Sequence, residues 1–236
     1  MSDFLLKEEK IPALAIELGG VDPRDRSGEK IEEVLASVIP GATRLPKDKK
    51  WFDIKVNGGI GIESKTFQYD KLSPGSFIDN VLKRVSQVNP KEGDKLKPAK
   101  QVGRDLIDYL NTSIKEHAAE KGITNRKIVS VLARSLDNKH FAYWEAPLDF
   151  GAYTTYEWYW SGKGTLVGDK AGKHIFSWYQ NQKQLFYRWE IPKNALFFEA
   201  TPYDSFKITR AEYEKQIKES YLEGYKDKTA SKKSKY

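Results

Sequence analysis

The residues of this chain best suited to chemistry lie between Trp51 and Lys65. Asp53 precedes a tight-turn signal, Asn57-Gly58-Gly59, and Glu63 and Lys65 follow it two residues apart. If that turn joins two strands, the two-residue period puts Glu63 and Lys65 on one face while the first strand carries Asp53 alongside. Ile60, Ile62 and Ser64 take the other face, so a charged pair sits inside an otherwise apolar strand. Burying such charges is costly unless they bind a metal or pair with one another. Two carboxylates meeting at one point suit Mg²⁺, a hard cation that takes oxygen ligands and keeps several waters. A neighbouring ammonium then orients or deprotonates an attacking water and stabilises negative charge building on phosphorus. The competing reading is a cross-strand set of ion pairs on a solvated face.

Other elements must position these residues. Ser27 caps a helix with the apolar series Ile31, Val34, Leu35 and Val38, closed by Pro40 and Gly41. Trp51 to Val56 and Ile60 to Phe67 read as the two strands of the hairpin. Ser76 with Asp79 predicts a further helix whose stripe is Phe77, Val81, Leu82, Val85 and Val88, ended by Asn89-Pro90. The lysine-rich segment 91–100 reads as an exposed basic loop, and Gln101 to Lys121 as a helix with Val102, Leu106, Leu110 and Ile114 on one face. Lys127 to Ala133 is apolar enough for a central strand, with Phe141 to Trp144 as its neighbour. The aromatic run from Tyr153 to Phe198 predicts short antiparallel strands, read as packed core, although exposed rings can stack on unpaired bases. Thr209 with Glu212 starts a last helix, and the Lys/Ser-rich tail from Lys226 to Tyr236 is expected to be disordered. The expected organisation is one domain over 1–225, with a core at about 27–146, a β-rich elaboration at about 150–200, a C-terminal helix at about 209–223, and the tail 226–236.

Asp53 on one strand and Glu63-Ser64-Lys65 on the next resemble the PD-(D/E)xK nuclease superfamily, with Phe52 standing where that family frequently has proline. The resemblance covers roughly Glu29 to Trp144, through the order helix, strand pair, helix from Phe77 and later strands. It implies an α/β, restriction-endonuclease-like core with a central mixed β-sheet flanked by helices, to which the aromatic-rich antiparallel β extension is added. It further implies a Mg²⁺-dependent endonuclease in which Asp53, Glu63 and the Ser64 carbonyl hold the ion and Lys65 assists the water. The first helix of the family often offers another acid, for which Glu32 or Glu33 would serve, and Gln68 could touch phosphate or water. A type II restriction endonuclease acting as a homodimer on double-stranded DNA is the preferred identity. A structure-specific repair or recombination nuclease would use the same cluster, and a basic nucleic-acid-binding protein without catalysis would use none of it.

Charge supports a polyanionic partner. The chain has 40 Lys plus Arg against 33 Asp plus Glu, a net charge of +7. Lys47, Lys49 and Lys50 before the acidic strand, Lys83 and Arg84 on the expected following helix, and Lys91, Lys95 and Lys97 in the loop would form a phosphate track without base specificity. There is no cysteine, and His117, His140 and His174 are far apart in sequence, which leaves zinc chemistry without support. No phosphate-binding glycine loop and no Gly-x-Ser-x-Gly segment occurs. With no long apolar run, a soluble cytoplasmic protein without a membrane partner is expected.

Overall fold

The Asn57-Gly58-Gly59 signal closes a hairpin, and the rest of the first sheet is assembled outward from it. The computed structural model describes residues 4–22, 27–46, 50–70, 72–162 and 164–200. Lys47, Lys49, the expected last helix and the tail lie outside the described residues. Helices α1 (Ile11–Gly19) and α2 (Gly28–Val38) precede β1 (Ala42–Arg44), β2 (Ile54–Val56) and β3 (Ile60–Gln68). Then come β4 (Phe77–Arg84), the small hairpin β5 (Lys91–Glu92) and β6 (Lys95–Leu96), and helix α3 (Ala99–Glu120). The chain continues through β7 (Lys127–Arg134), β8 (His140–Pro147), β9 (Glu157–Ser161), β10 (Thr165–Lys170), β11 (Lys173–Tyr179), β12 (Gln184–Glu190) and β13 (Leu196–Glu199).

The fold is mixed α/β. Six strands in the order β1-β2-β3-β7-β8-β13 form a mixed central sheet in which only β3 and β7 run parallel. A parallel pair needs a long crossover, and α3 lies within the segment that supplies it. In that pairing Glu63 lies beside Val129 and Lys65 beside Val131, both buried apolar neighbours. The continuous apolar stretch of β7 is explained by its central place between β3 and β8. Helix α2 starts where Ser27 accepts a hydrogen bond from the Lys30 N–H and buries Ile31, Val34, Leu35 and Val38 against the first strands.

The second sheet is antiparallel, in the order β4-β12-β11-β10-β9. Its first strand corrects the expectation of a helix from Ser76 to Val88. Residues 77–84 are β4, paired along its length with β12, and Lys83 and Arg84 are strand residues. The series Phe77, Val81, Leu82, Val85 fits a helical stripe, but Ile78 and Leu82 are the strand residues buried against the core. The decisive partner, β12, lies about a hundred residues further along the chain, beyond the reach of a local pattern. Likewise, residues 91–96 of the expected basic loop form the β5–β6 hairpin.

Aromatic side chains join the two sheets. Phe67 of β3 meets Trp189 of β12 with ring centroids 5.9 Å apart, and Phe150 contacts Trp51, Phe176 and Tyr187 at 6.4, 5.8 and 6.1 Å. Trp158 fills the space between α3 and β10, where glycines on both sides admit its ring. A Cβ on Gly103 would lie 2.3 Å from the indole, and one on Gly168 would lie 2.7 Å from it. We therefore expect Gly103→Ala to lower the free energy of unfolding by about 2 kcal/mol through overpacking, and Gly103→Val to lower it more, as read by urea denaturation. Unchanged midpoints in both variants would show that Trp158 moves aside freely.

Candidate active site

Register between β2 and β3 stops at Ile54 opposite Ile62, and a last backbone bond joins the Asp53 N–H to the Ile62 carbonyl at 2.9 Å. Beyond that point side chains replace the ladder. Asp53 Oδ2 accepts the Ser64 N–H at 2.8 Å, and Glu63 Oε2 accepts the Phe52 N–H at 2.8 Å. Each acid thus satisfies a backbone donor on the opposite strand, which fixes both carboxylates at the mouth of the hairpin. Glu63 Oε1 accepts from the Lys65 ammonium at 2.8 Å, closing the cluster predicted from the sequence. Glu63 is only 3% exposed.

Phe52 has φ +68°, a left-handed conformation that costs a residue with a side chain roughly 1–2 kcal/mol. The twist aims its N–H at Glu63, and its buried ring occupies the space left open by Gly61, where a Cβ would lie 2.8 Å from Phe52 Cδ1. A proline is impossible here on two counts: its φ is fixed near −65° and it has no N–H to donate. The neighbouring Trp51 is tied to α3, donating from its indole Nε1 to Ser113 Oγ at 2.8 Å and from its backbone N–H to His117 Nδ1 at 3.3 Å. The Lys83 ammonium lies 4.4 Å over the Trp51 ring.

Electrostatics mark the cluster as charge-frustrated. Burial first, then the Glu63 and Glu32 carboxylates, raise the Asp53 pKa to about 7 against the opposing Ser64 hydrogen bond and the Lys65 charge. Burial likewise raises Glu32 on α2, with Arg44 opposing at 3.5 Å from Nε to the carboxylate. For Lys65 burial works against the charge, but Glu63, Asp53 and Glu32 outweigh it and hold the group above the ordinary lysine value. Lys65 is therefore an ammonium donor at neutral pH. Three carboxylates, Glu32, Asp53 and Glu63, face two cations, Lys65 and Arg44, which leaves an excess of negative charge.

Among the described residues no three His, Asp or Glu side chains form a ready-made metal cage. The donors that do fit a hard cation are the Asp53 and Glu63 carboxylates and the Ser64 carbonyl. A strand residue presents its N–H and C=O on the same edge, so the Ser64 carbonyl shares with Asp53 the edge of β3 that β2 has left open. One or two carboxylates completed by a carbonyl and waters is the kind of set Mg²⁺ accepts.

The other candidates are dispersed. Glu32 joins the cluster electrostatically, whereas Glu33 pairs with Lys30 at 3.1 Å and Arg44 at 2.8 Å. Gln68, at the end of β3, donates to the Leu136 carbonyl at 3.2 Å. Lys50 pairs with Glu120 at 2.8 Å, and Lys83 donates to the Lys50 carbonyl at 2.6 Å beside Trp51. Arg84 is exposed at the end of β4, and Lys91 and Lys95 are exposed on the small hairpin. The Lys97 carbonyl accepts from Trp160 Nε1 at 2.9 Å. Sequence reasoning missed Arg44, whose side chain reaches Glu32 from the adjacent β1, and Phe52, whose role lies in a backbone angle with no compositional signal.

No family model, curated protein or solved structure matches this chain. Among the described residues no helix is long and apolar enough to cross a membrane.

Two outcomes follow from this geometry. Because the folded Asp53 pKa lies above the unfolded value of 3.8, folding binds a proton between pH 4 and 7, and stability falls as pH rises through that window. Asp53→Asn should therefore match the wild type near pH 4 and exceed it at pH 8 by on the order of 2 kcal/mol, measured by urea denaturation with chelator present. Equal stability at both pH values would refute the buried-charge account. Phe52→Pro should cost about 3 kcal/mol or more, because it loses both the permitted φ and the donor to Glu63. Wild-type melting of that variant would show that the Phe52 conformation is dispensable.

Proposed function

We propose that the chain is a Mg²⁺-dependent endonuclease acting on double-stranded DNA, most like a type II restriction endonuclease. The observation that supports this reading is the convergence of Asp53, Glu63 and Lys65 at the open edge of β3, with one more acid than the local cations balance. A purely structural ion pair needs one acid and one base. Here Glu63 and Lys65 already satisfy each other, yet Asp53 is half-buried beside them with no salt-bridge partner among the described residues, its pKa pushed up to about 7. A divalent cation relieves that repulsion, and strain at Phe52 is retained to hold the geometry.

Asp53, Glu63 and the Ser64 carbonyl would hold the ion, with Glu32 placed to receive a water of its shell. When bound, Mg²⁺ acidifies a coordinated water and withdraws charge from the phosphate. Lys65 supplies the fixed positive charge: its ammonium donates towards the attacking water and the anionic phosphorane oxygens. Its raised pKa keeps it a donor, so it orients the water and balances the negative charge as the water's proton passes to solvent. Glu63 holds that ammonium in place, and Phe52 holds Glu63. The restriction-endonuclease-like arrangement is supported by the sequence of α2, three antiparallel strands, and α3 leading to a parallel β7. A homodimer would place two such sites on the two strands of a symmetric target.

Incubation of unmodified plasmid with the purified protein should give discrete fragments with Mg²⁺ and none with chelator. Lys65→Ala and Glu63→Gln should each lower the cleavage rate by two or more orders of magnitude while DNA retention persists. Retention of DNA with no cleavage under any divalent cation would identify a binding protein instead, and undiminished cutting by both variants would move the active site elsewhere.

A further inference from the structure

The second sheet has two faces, and among the described residues the helices pack on one of them. Trp158, Phe176, Tyr187 and Trp189 point to the inner face, into the continuous core. Helix α3 packs against β9 and β10 on that side, where Gly103 meets Trp158, while α1 and α2 pack with the first sheet. The opposite face is ordered by strand register into rows. One row runs Tyr159, Val167, Ser177, Phe186 and Val81 across all five strands. The next runs Ser161, Thr165, Tyr179, Gln184 and Arg84. Val167 is buried within its row, and the other residues of both rows are half-buried or exposed.

Tyr159 and Tyr179 are 45% and 39% exposed, among the most exposed large apolar side chains described. Tyr179 packs edge-on against the half-buried Phe186, with centroids 5.2 Å apart, so the two rings hold each other in place. The row through Tyr179 contains two hydroxyls, an amide and a guanidinium, and no carboxylate. Arg84 has no ion-pair partner among the described residues. Of the acids elsewhere on this face, Asp79 takes a two-point bond from Arg188 at 2.8 and 2.9 Å, Asp169 lies 3.3 Å from both His174 and Tyr159, and Glu190 lies 3.7 Å from Lys173, while Glu157 is exposed at the far end of β9, away from the row that ends at Arg84.

We propose that this face binds single-stranded nucleic acid, with unpaired bases stacking on Tyr179, Phe186 and Tyr159 and the phosphates following the row that ends at Arg84. Rings held on one sheet face give sequence-tolerant stacking, and Ser, Thr, Gln, Tyr and Arg are the side-chain types that meet phosphate and sugar oxygens. A chain of net charge +7 adds favourable long-range attraction for a polyanion. Those donors, a guanidinium with no salt-bridge partner among the described residues, and the absence of carboxylate from the row favour a nucleic acid over a second protein surface. The role is independent of the metal cluster: the face would present a locally melted or displaced strand to the protein whether or not the hairpin site cuts.

The test is fluorescence anisotropy of labelled oligothymidylate of about twenty nucleotides, a length several bases longer than the platform, in chelator and at low salt. Chelator removes cleavage from the readout, so a protein that never cuts can pass and one that cuts can fail. Tyr179→Ala and Phe186→Ala should each weaken binding about tenfold, the effect of losing one stacked base. Affinity for a duplex of equal length should stay within twofold. Arg84→Ala should reduce the slope of log affinity against log salt by roughly 0.7, the value for one phosphate on a single strand. The ring-preserving changes Tyr179→Phe and Phe186→Tyr should bind as the wild type. The proposal is overturned if the alanine variants bind thymidylate normally, if they lose single strand and duplex equally, or if the ring-preserving variants also lose binding. An altered elution volume on size exclusion for the alanine variants would assign the face to a second copy of the chain and would overturn it too.

Discussion

The reciprocal exchange at the mouth of the first hairpin governs the rest of the candidate site. Where backbone pairing between β2 and β3 stops, Asp53 receives the Ser64 N–H and Glu63 receives the Phe52 N–H. These are charge-assisted bonds in a place shielded from water, each worth more than an ordinary ladder bond and costly to leave unmade. They convert the fraying end of a short strand into a rigid frame for two carboxylates. Lys65 and the excess negative charge then follow from position alone, because period two puts the ammonium beside Glu63. The strained Phe52 is the complement of this frame, since in its left-handed conformation its N–H is donated to Glu63.

Much of this was legible from residue order. The Asn57-Gly58-Gly59 turn fixed the hairpin, and the acid-x-Lys spacing fixed which side chains share a face. The capped helix at Ser27 and the apolar β7 also stand where their periodicity put them. What was not legible depended on distant partners or backbone angles. β4 carries apolar residues at spacings compatible with a helix, and only its pairing with β12 makes it a strand. Arg44 balances Glu32 because β1 folds back beside α2, a neighbourhood that local pattern does not encode. The aromatic run was readable as sheet, but which rings face the core depended on the register, with Trp158 inward and Tyr159 outward.

The basic residues divide into two kinds that composition alone merges. Lys50 and Lys83 are part of the architecture around Trp51, one paired with Glu120 and the other bridging to the Lys50 carbonyl. Arg84, one residue further along the same strand as Lys83, points to the opposite side of the sheet. Alternation along β4 thus separates a cation that braces the segment leading into Asp53 from one on an open surface. A net positive charge says that a polyanion is attracted, and strand geometry says where each charge is available.

The chain weaves between its two sheets. From β3 it passes to the second sheet at β4, returns to the first through β7 and β8, leaves again for β9 to β12, and comes back to the first at β13. No single cut separates the sheets into two sequence-contiguous pieces, and a cut after α3 parts β4 from β12 and opens the edge between β3 and β7. The molecule must therefore gain its order in one cooperative event dominated by long-range pairings, a topology that folds slowly for its size. Dissection into one sheet or the other by truncation is closed to such a protein, because each sheet draws strands from both halves of the chain.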